Sequence, residues 1–149
     1  MTSSIPPASR RRRAGASERG RSLIQYAAFI SYSSIDRSIG ERLQKALESY
    51  VVPASLRGQD FGRGPVPKRI APIFRDRWDA EASTDLGAML QAALHASAAL
   101  IVLCSPAAAR STWVGEEIRT FKRAGRDERI YPVLVDGTPR RFDVEHNPQ

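Results

Sequence analysis

The chain has 149 residues, a formal charge of +7 and 42% hydrophobic content, enough for one domain with a real core. No apolar run approaches the length needed to span a bilayer, and Met1 to Arg21 lacks the apolar stretch of a secretory signal. The lone cysteine, Cys104, excludes an intrachain disulfide and reads as a buried thiol suited to a reducing cytoplasm.

Residues 1–25 form a basic leader rich in Ser, Pro, Ala and Gly, with an unbroken Arg10 to Arg13 run followed by Arg19 and Arg21. Charge without apolar periodicity predicts a solvated, disordered arm. No aromatic side chains interleave with the arginines, so specific nucleic-acid binding is not expected. Tyr26 to Ser31 is an apolar strand, and Asp36 can N-cap a helix carrying Ile39, Leu43, Ala46, Leu47 and Tyr50 at helical spacing. Val51 to Ala71, dense in proline and glycine, reads as a loop, and Pro72 to Arg75 as a short second strand. A helix from about Thr84 to Ser97 carries Leu86, Met89, Leu90, Ala93 and Leu94 on one face. The wholly apolar Ala98 to Cys104 run predicts a third strand, and Ser105-Pro106 opens a loop to a third helix from Thr112 to Ala124. Ile130 to Val135 is the fourth strand, and the sequence turns polar after Asp136.

Strands too apolar for one-sided burial, alternating with helices, predict an α/β fold with a parallel sheet covered on both faces. With right-handed crossovers the simplest arrangement is flavodoxin-like, strand order 2-1-3-4, with a switch point between strands 1 and 3. Ligands in such sheets bind beyond the carboxyl ends of the strands at that point. Here the crevice falls between Ser31-Tyr32-Ser33-Ser34 and the Ser105 to Trp113 segment.

Trp113 and Glu117 stand four residues apart on the third helix and therefore share a side of it. At about 100° per residue, Val114, Ile118 and Phe121 define the core-facing stripe, Glu116 lies roughly 165° from its centre and Glu117 roughly 65°. Glu116 is then a solvated residue, whereas Glu117 borders the buried face, partly desolvated and fixed in direction. An aromatic plate beside such a carboxylate suits cleavage of a glycosidic bond to a cationic leaving group. The same pattern also fits a half-buried Trp anchoring a helix beside a solvated Glu. The third strand ends in Cys104-Ser105 without an Asp, against a phospho-accepting receiver, and there is no G-x-G-x-x-G or P-loop lysine motif. His95 and His146 are the only histidines, which makes a metal cluster or a His-based triad a poor reading.

At Phe29-Ile-Ser-Tyr-Ser33, Ile73-Phe-Arg-Asp76, Leu103-Cys-Ser-Pro-Ala107 and Ser111-Thr-Trp-Val-Gly-Glu-Glu117 the chain resembles the TIR (Toll/interleukin receptor) family. Gly64-Pro-Val-Pro-Lys68 and Phe121-Lys-Arg-Ala-Gly-Arg126 resemble a bacterial branch with this domain at the N-terminus of a larger effector. The resemblance implies a TIR domain over residues 26–140 and a tail or linker over 141–149 toward a missing C-terminal region, such as a sensor domain. It implies hydrolysis or cyclisation of NAD+ at the nicotinamide–ribose bond, with NAD+ as substrate, no cofactor and no metal. It implies Glu117 as the catalytic residue, with Trp113, Ser31, Tyr32, Ser33 and Asp76 lining the substrate site. Tyr32 and Ser33 fit capping of the next helix equally well. Arg77 to Ser83 resembles the loop that closes over NAD+ and contacts neighbouring subunits, so Glu81 and Ser83 are candidates for the site or for an interface. That loop departs from the family pattern at Trp78-Asp79-Ala80 and at Ser83. The implied activity is switched on by self-association with other TIR domains in bacterial defence or signalling. The alternative is a non-enzymatic TIR–TIR adaptor.

Overall fold

The computed structural model describes residues 24–61, 64–75 and 84–138. The leader and the 139–149 tail lie outside them. Four strands, β1 (Ala28–Ser31), β2 (Ile73–Arg75), β3 (Leu100–Cys104) and β4 (Ile130–Leu134), form one parallel sheet in the order β2-β1-β3-β4. The expected α/β, flavodoxin-like order is therefore the observed one. Among the described residues no helix is long and apolar enough to cross a membrane.

The two-residue period of a strand divides the core between the sheet's faces. Ala28 and Ile30 of β1 join Tyr32, Ile73 and Leu103 on the face covered by α1 (Arg37–Ser49), against Ile39, Leu43 and Leu47. Phe29 points the other way, with Leu100 and Val102, onto Leu90, Ala93 and Leu94 of α2 (Thr84–His95) and Val114 and Phe121 of α4 (Thr112–Arg123). Phe74 stacks on Phe29 with ring centroids 5.1 Å apart.

Local chemistry accounts for the ends of the elements. The loop after β3 contains a short helix, α3 (Pro106–Arg110), where the sequence reading expected irregular chain. Its signals are a Ser105 cap, whose Oγ accepts from the Ala108 N–H, and Pro106 in the first turn, where a missing N–H costs nothing. Just past the end of α4, Gly125 has a φ of 69°, which suits glycine, and its N–H donates to the Lys122 carbonyl. α2 stops at His95 rather than Ser97. Arg126 donates to the His95 and Ser97 carbonyls at its end and lies 5.2 Å over the Phe121 ring.

Asp36 departs from expectation. It occupies the position before α1 but its side chain makes no capping hydrogen bond. A single 3-10 turn (Ser34–Asp36) intervenes, capped by Ser33, and this turns the Asp36 carboxylate inward to Ser105 instead. The Val51 to Ala71 segment is also more ordered than a plain loop. It pairs Val51 with Arg69 and Asp60 with Pro65 in antiparallel bridges.

Phe121 is 1% exposed and anchors α4 to the sheet. Phe121→Ala should cost about 3–5 kcal/mol in urea denaturation, the range for emptying a buried aromatic site. A loss below about 1 kcal/mol would place α4 on the sheet by other contacts.

Candidate active site

The carboxyl ends of β1 and β3 and the start of α4 enclose a crevice of about 350 Å³ lined by Ser33, Ser34, Ile35, Ala107, Arg110, Ser111 and Trp113. Adjacent to it, a depression of about 30 Å³ is lined by Leu90, Gln91, Leu94, Trp113, Glu116, Glu117 and Thr120, among others. Trp113 lines both. Glu117 thus stands beyond the Trp113 edge of the larger crevice rather than on its wall.

The phase of α4 sorts its carboxylates. Val114 and Phe121 are buried, Glu117 is half-buried, and Glu116 is exposed. Glu116 pairs with Arg119, and both side chains are more than half exposed, so the pair contributes little to stability. Glu117 instead accepts a hydrogen bond from the Ser31 hydroxyl at the end of β1. Ser31 is 1% exposed, and two residues after Phe29 it shares the sheet face on which α4 packs. Its hydroxyl fixes one carboxylate oxygen from below. Trp113, 46% exposed one helical turn away, offers its ring to solvent.

Tyr32 does not join them. The same alternation sends it to the α1 face, where it is 2% exposed and its hydroxyl accepts from Arg75 at 2.9 Å. Arg75 also donates to Gln44 and pairs with Glu41. This cluster braces the end of β2. Ser33 both lines the crevice and caps the turn, accepting from the Ile35 N–H at 3.2 Å. Asp76, Glu81 and Ser83 lie outside the described residues. Cys104 is half-buried, its thiol directed at the Val102 carbonyl. Among the described residues no group of three His, Cys, Asp or Glu side chains could hold a metal ion.

Sequence reasoning missed two features. The first is a clamp: Ser105 donates to the buried Asp36 carboxylate at 2.7 Å, tying the loop after β1 to the loop after β3 across the switch point. Sixty-nine residues separate the partners, and no local pattern reports such a pair. The second is Arg110. Its signal was present, since Ser105-Pro106 starts a helix whose last residue is Arg110, three before Trp113.

A TIR domain family model matches residues 28–147. The chain belongs to the TIR domain family. It is 32% identical over 115 residues to the NAD(+) hydrolase ApTIR of an Actinoplanes species. That match covers 76% of this chain but 14% of the relative, so the chain spans a small fraction of the relative's length.

The clamp should be measurable. Ser105→Ala removes both a helix cap and the donor to Asp36, and should cost about 1.5–3 kcal/mol in urea denaturation. Ser111→Ala removes only the α4 cap, which accepts from Val114, and should cost about 1 kcal/mol or less. Equal losses would show that the Asp36 contact adds nothing.

Proposed function

We propose that this TIR domain is an NAD+ glycohydrolase that breaks the bond between nicotinamide and ribose. The observation that carries this reading is the half-buried Glu117 carboxylate, held by Ser31 one helical turn from an exposed Trp113. The similarity to an NAD(+) hydrolase supports it.

The chemistry suits a site with one carboxylate. Nicotinamide is bound to ribose as a cationic ring and departs as a neutral base with the bonding electron pair. No general acid is then needed, unlike the two-carboxylate scheme of ordinary glycoside hydrolysis. Positive charge grows on the ribose as the bond lengthens. A carboxylate held in place for that charge stabilises the transition state more than the ground state. Glu117 takes this role and accepts from the ribose hydroxyls. Trp113 stacks on the cationic ring. Water adds to the ribose carbon and loses its proton to solvent, giving ADP-ribose; capture by a group of the substrate itself gives a cyclic isomer. Ser31 orients Glu117, so that rotation of the side chain is not part of the barrier.

The activity is switched on by self-assembly with other TIR domains. Supporting this, the outer edge of β4 pairs with no strand among the described residues and leaves Tyr131, Val133 and Leu134 exposed. In a longer protein, a sensor domain on the C-terminal side would control that assembly.

Nicotinamide release from NAD+ by the purified protein tests the reading. Glu117→Ala should lower kcat by about 100-fold or more, as loss of a transition-state charge stabiliser does. Glu116→Ala should leave it within about twofold, because Glu116 faces water beside Arg119. Equal losses in two folded variants would refute the assignment, and a folded wild type without turnover at any concentration would favour the adaptor.

Assembly has its own signature. The rate per molecule should rise with protein concentration or on a crowding surface, and Leu134→Lys on the β4 edge should flatten that rise. A rate per molecule constant across a hundredfold range of concentration would contradict assembly control.

A further inference from the structure

The crevice described above has a polarity that the cleavage chemistry does not use. Among its described lining residues, Arg110 carries the only formal charge, and the others are Ser33, Ser34, Ser111, Ile35, Ala107 and Trp113. Arg75, at the carboxyl end of β2, is engaged by contrast. It is held by Tyr32, Gln44 and Glu41. The Arg110 guanidinium has no hydrogen-bond or ion-pair partner among the described residues.

Two of the three serines have a hydroxyl proton left to donate. Ser33 and Ser111 use their oxygens to accept from the Ile35 and Val114 N–H groups, which frees each hydroxyl proton to be donated. A crevice with an uncommitted guanidinium, hydroxyl donors and no carboxylate on its described wall selects an anion. The negative charge of Glu117 lies beyond Trp113. Trp113 borders both spaces, with Arg110 on the wall of one and Glu117 on the wall of the other.

We infer that Arg110 binds the pyrophosphate of a dinucleotide whose cationic end lies against Trp113 and Glu117. The inference rests on the dinucleotide reading of the site and fixes the direction in which the substrate lies. Nicotinamide and its ribose occupy the Glu117 side, and the phosphates one ribose away reach the Arg110 side. Guanidinium matches the geometry of paired phosphate oxygens better than an ammonium does. Arg110 thereby makes the enzyme selective for a pyrophosphate-bearing substrate over the bare nucleoside. It is a binding residue and takes no part in bond cleavage.

Arg110 also closes the last turn of α3, where any cation complements the helix carbonyls. A purely structural Arg110 would affect thermal stability and act on all substrates alike. The experiment separates the two roles by comparing wild type, Arg110→Ala, Arg110→Lys and Arg110→Glu. KM for NAD+ should rise roughly tenfold to a hundredfold in Arg110→Ala, as loss of a charge-assisted contact implies, with kcat within about threefold. Arg110→Lys should recover part of the loss, and Arg110→Glu should be worse than Ala. Cleavage of nicotinamide riboside, which has no phosphate, should be unchanged in all variants.

Binding of ADP, followed calorimetrically, gives a readout independent of turnover. Wild type should bind it, and Arg110→Glu should bind it at least tenfold more weakly. If ADP binding depends on Arg110 while NAD+ is not cleaved, the pyrophosphate site stands and the glycohydrolase reading fails. If wild type does not bind ADP, if Arg110→Glu binds it equally, or if nicotinamide riboside cleavage falls in parallel with that of NAD+, the inference is overturned.

Discussion

The hydrogen bond between Ser31 and Glu117 depends on two periodicities meeting at one place. β1 alternates its faces every residue, so Ser31 shares the side of Phe29 while Ile30 and Tyr32 face α1. α4 advances about 40° beyond a full turn for every four residues. Along the row Phe121, Glu117, Trp113 this drift carries the side chain from full burial, through half-burial, to solvent. The residue at the boundary is the one that can be fixed from the core by a buried hydroxyl and still meet a ligand. Moving the carboxylate to Glu116 would place it in water beside Arg119.

Around that contact, the polar groups at the carboxyl end of the sheet satisfy one another in pairs. Asp36 takes the Ser105 hydroxyl, Ser33 and Ser111 cap their turns, and Tyr32 accepts from Arg75. Among the described residues no buried side-chain nitrogen or oxygen lacks a partner. Such pairing holds the walls of the crevice without consuming its exposed groups. Donors not committed to the fold are the ones available to a ligand.

The two outer edges of the sheet are treated differently. At β2, α1 supplies side chains for the strand's own backbone: Gln44 donates to the Ile73 carbonyl, and Glu48 accepts from its N–H. This edge is closed to further pairing at that residue. β4 has no comparable cover among the described residues and exposes apolar side chains along most of its length. Such an uncovered edge is the kind of surface on which another chain can add a strand.

Much of this was legible in the chain itself. Strands of unbroken apolar residues must be buried on both faces, and helices between them with single apolar stripes can cover those faces, so the parallel sheet and its order follow from patterns of a few residues. Helical phase likewise distinguished Glu117 from Glu116, because rotation per residue is a local property. The short helix Pro106–Arg110 is also locally encoded, by its serine cap and proline, although five residues between a strand and a longer helix read equally as loop. What the sequence could not contain is the identity of partners that meet only after folding. Ser31 and Glu117 are 86 residues apart, and Ser105 and Asp36 are 69. Asp36 had a sound local role as a cap and lost it to a distant hydroxyl, because a buried carboxylate gains more from a fixed donor than from a helix end that begins with its own 3-10 turn. The sequence by itself determined the layers, the strand order and the phase of α4. Only the tertiary structure decided which hydroxyl meets which carboxylate and which side chains line the crevice, since those depend on distances between elements that no local periodicity records.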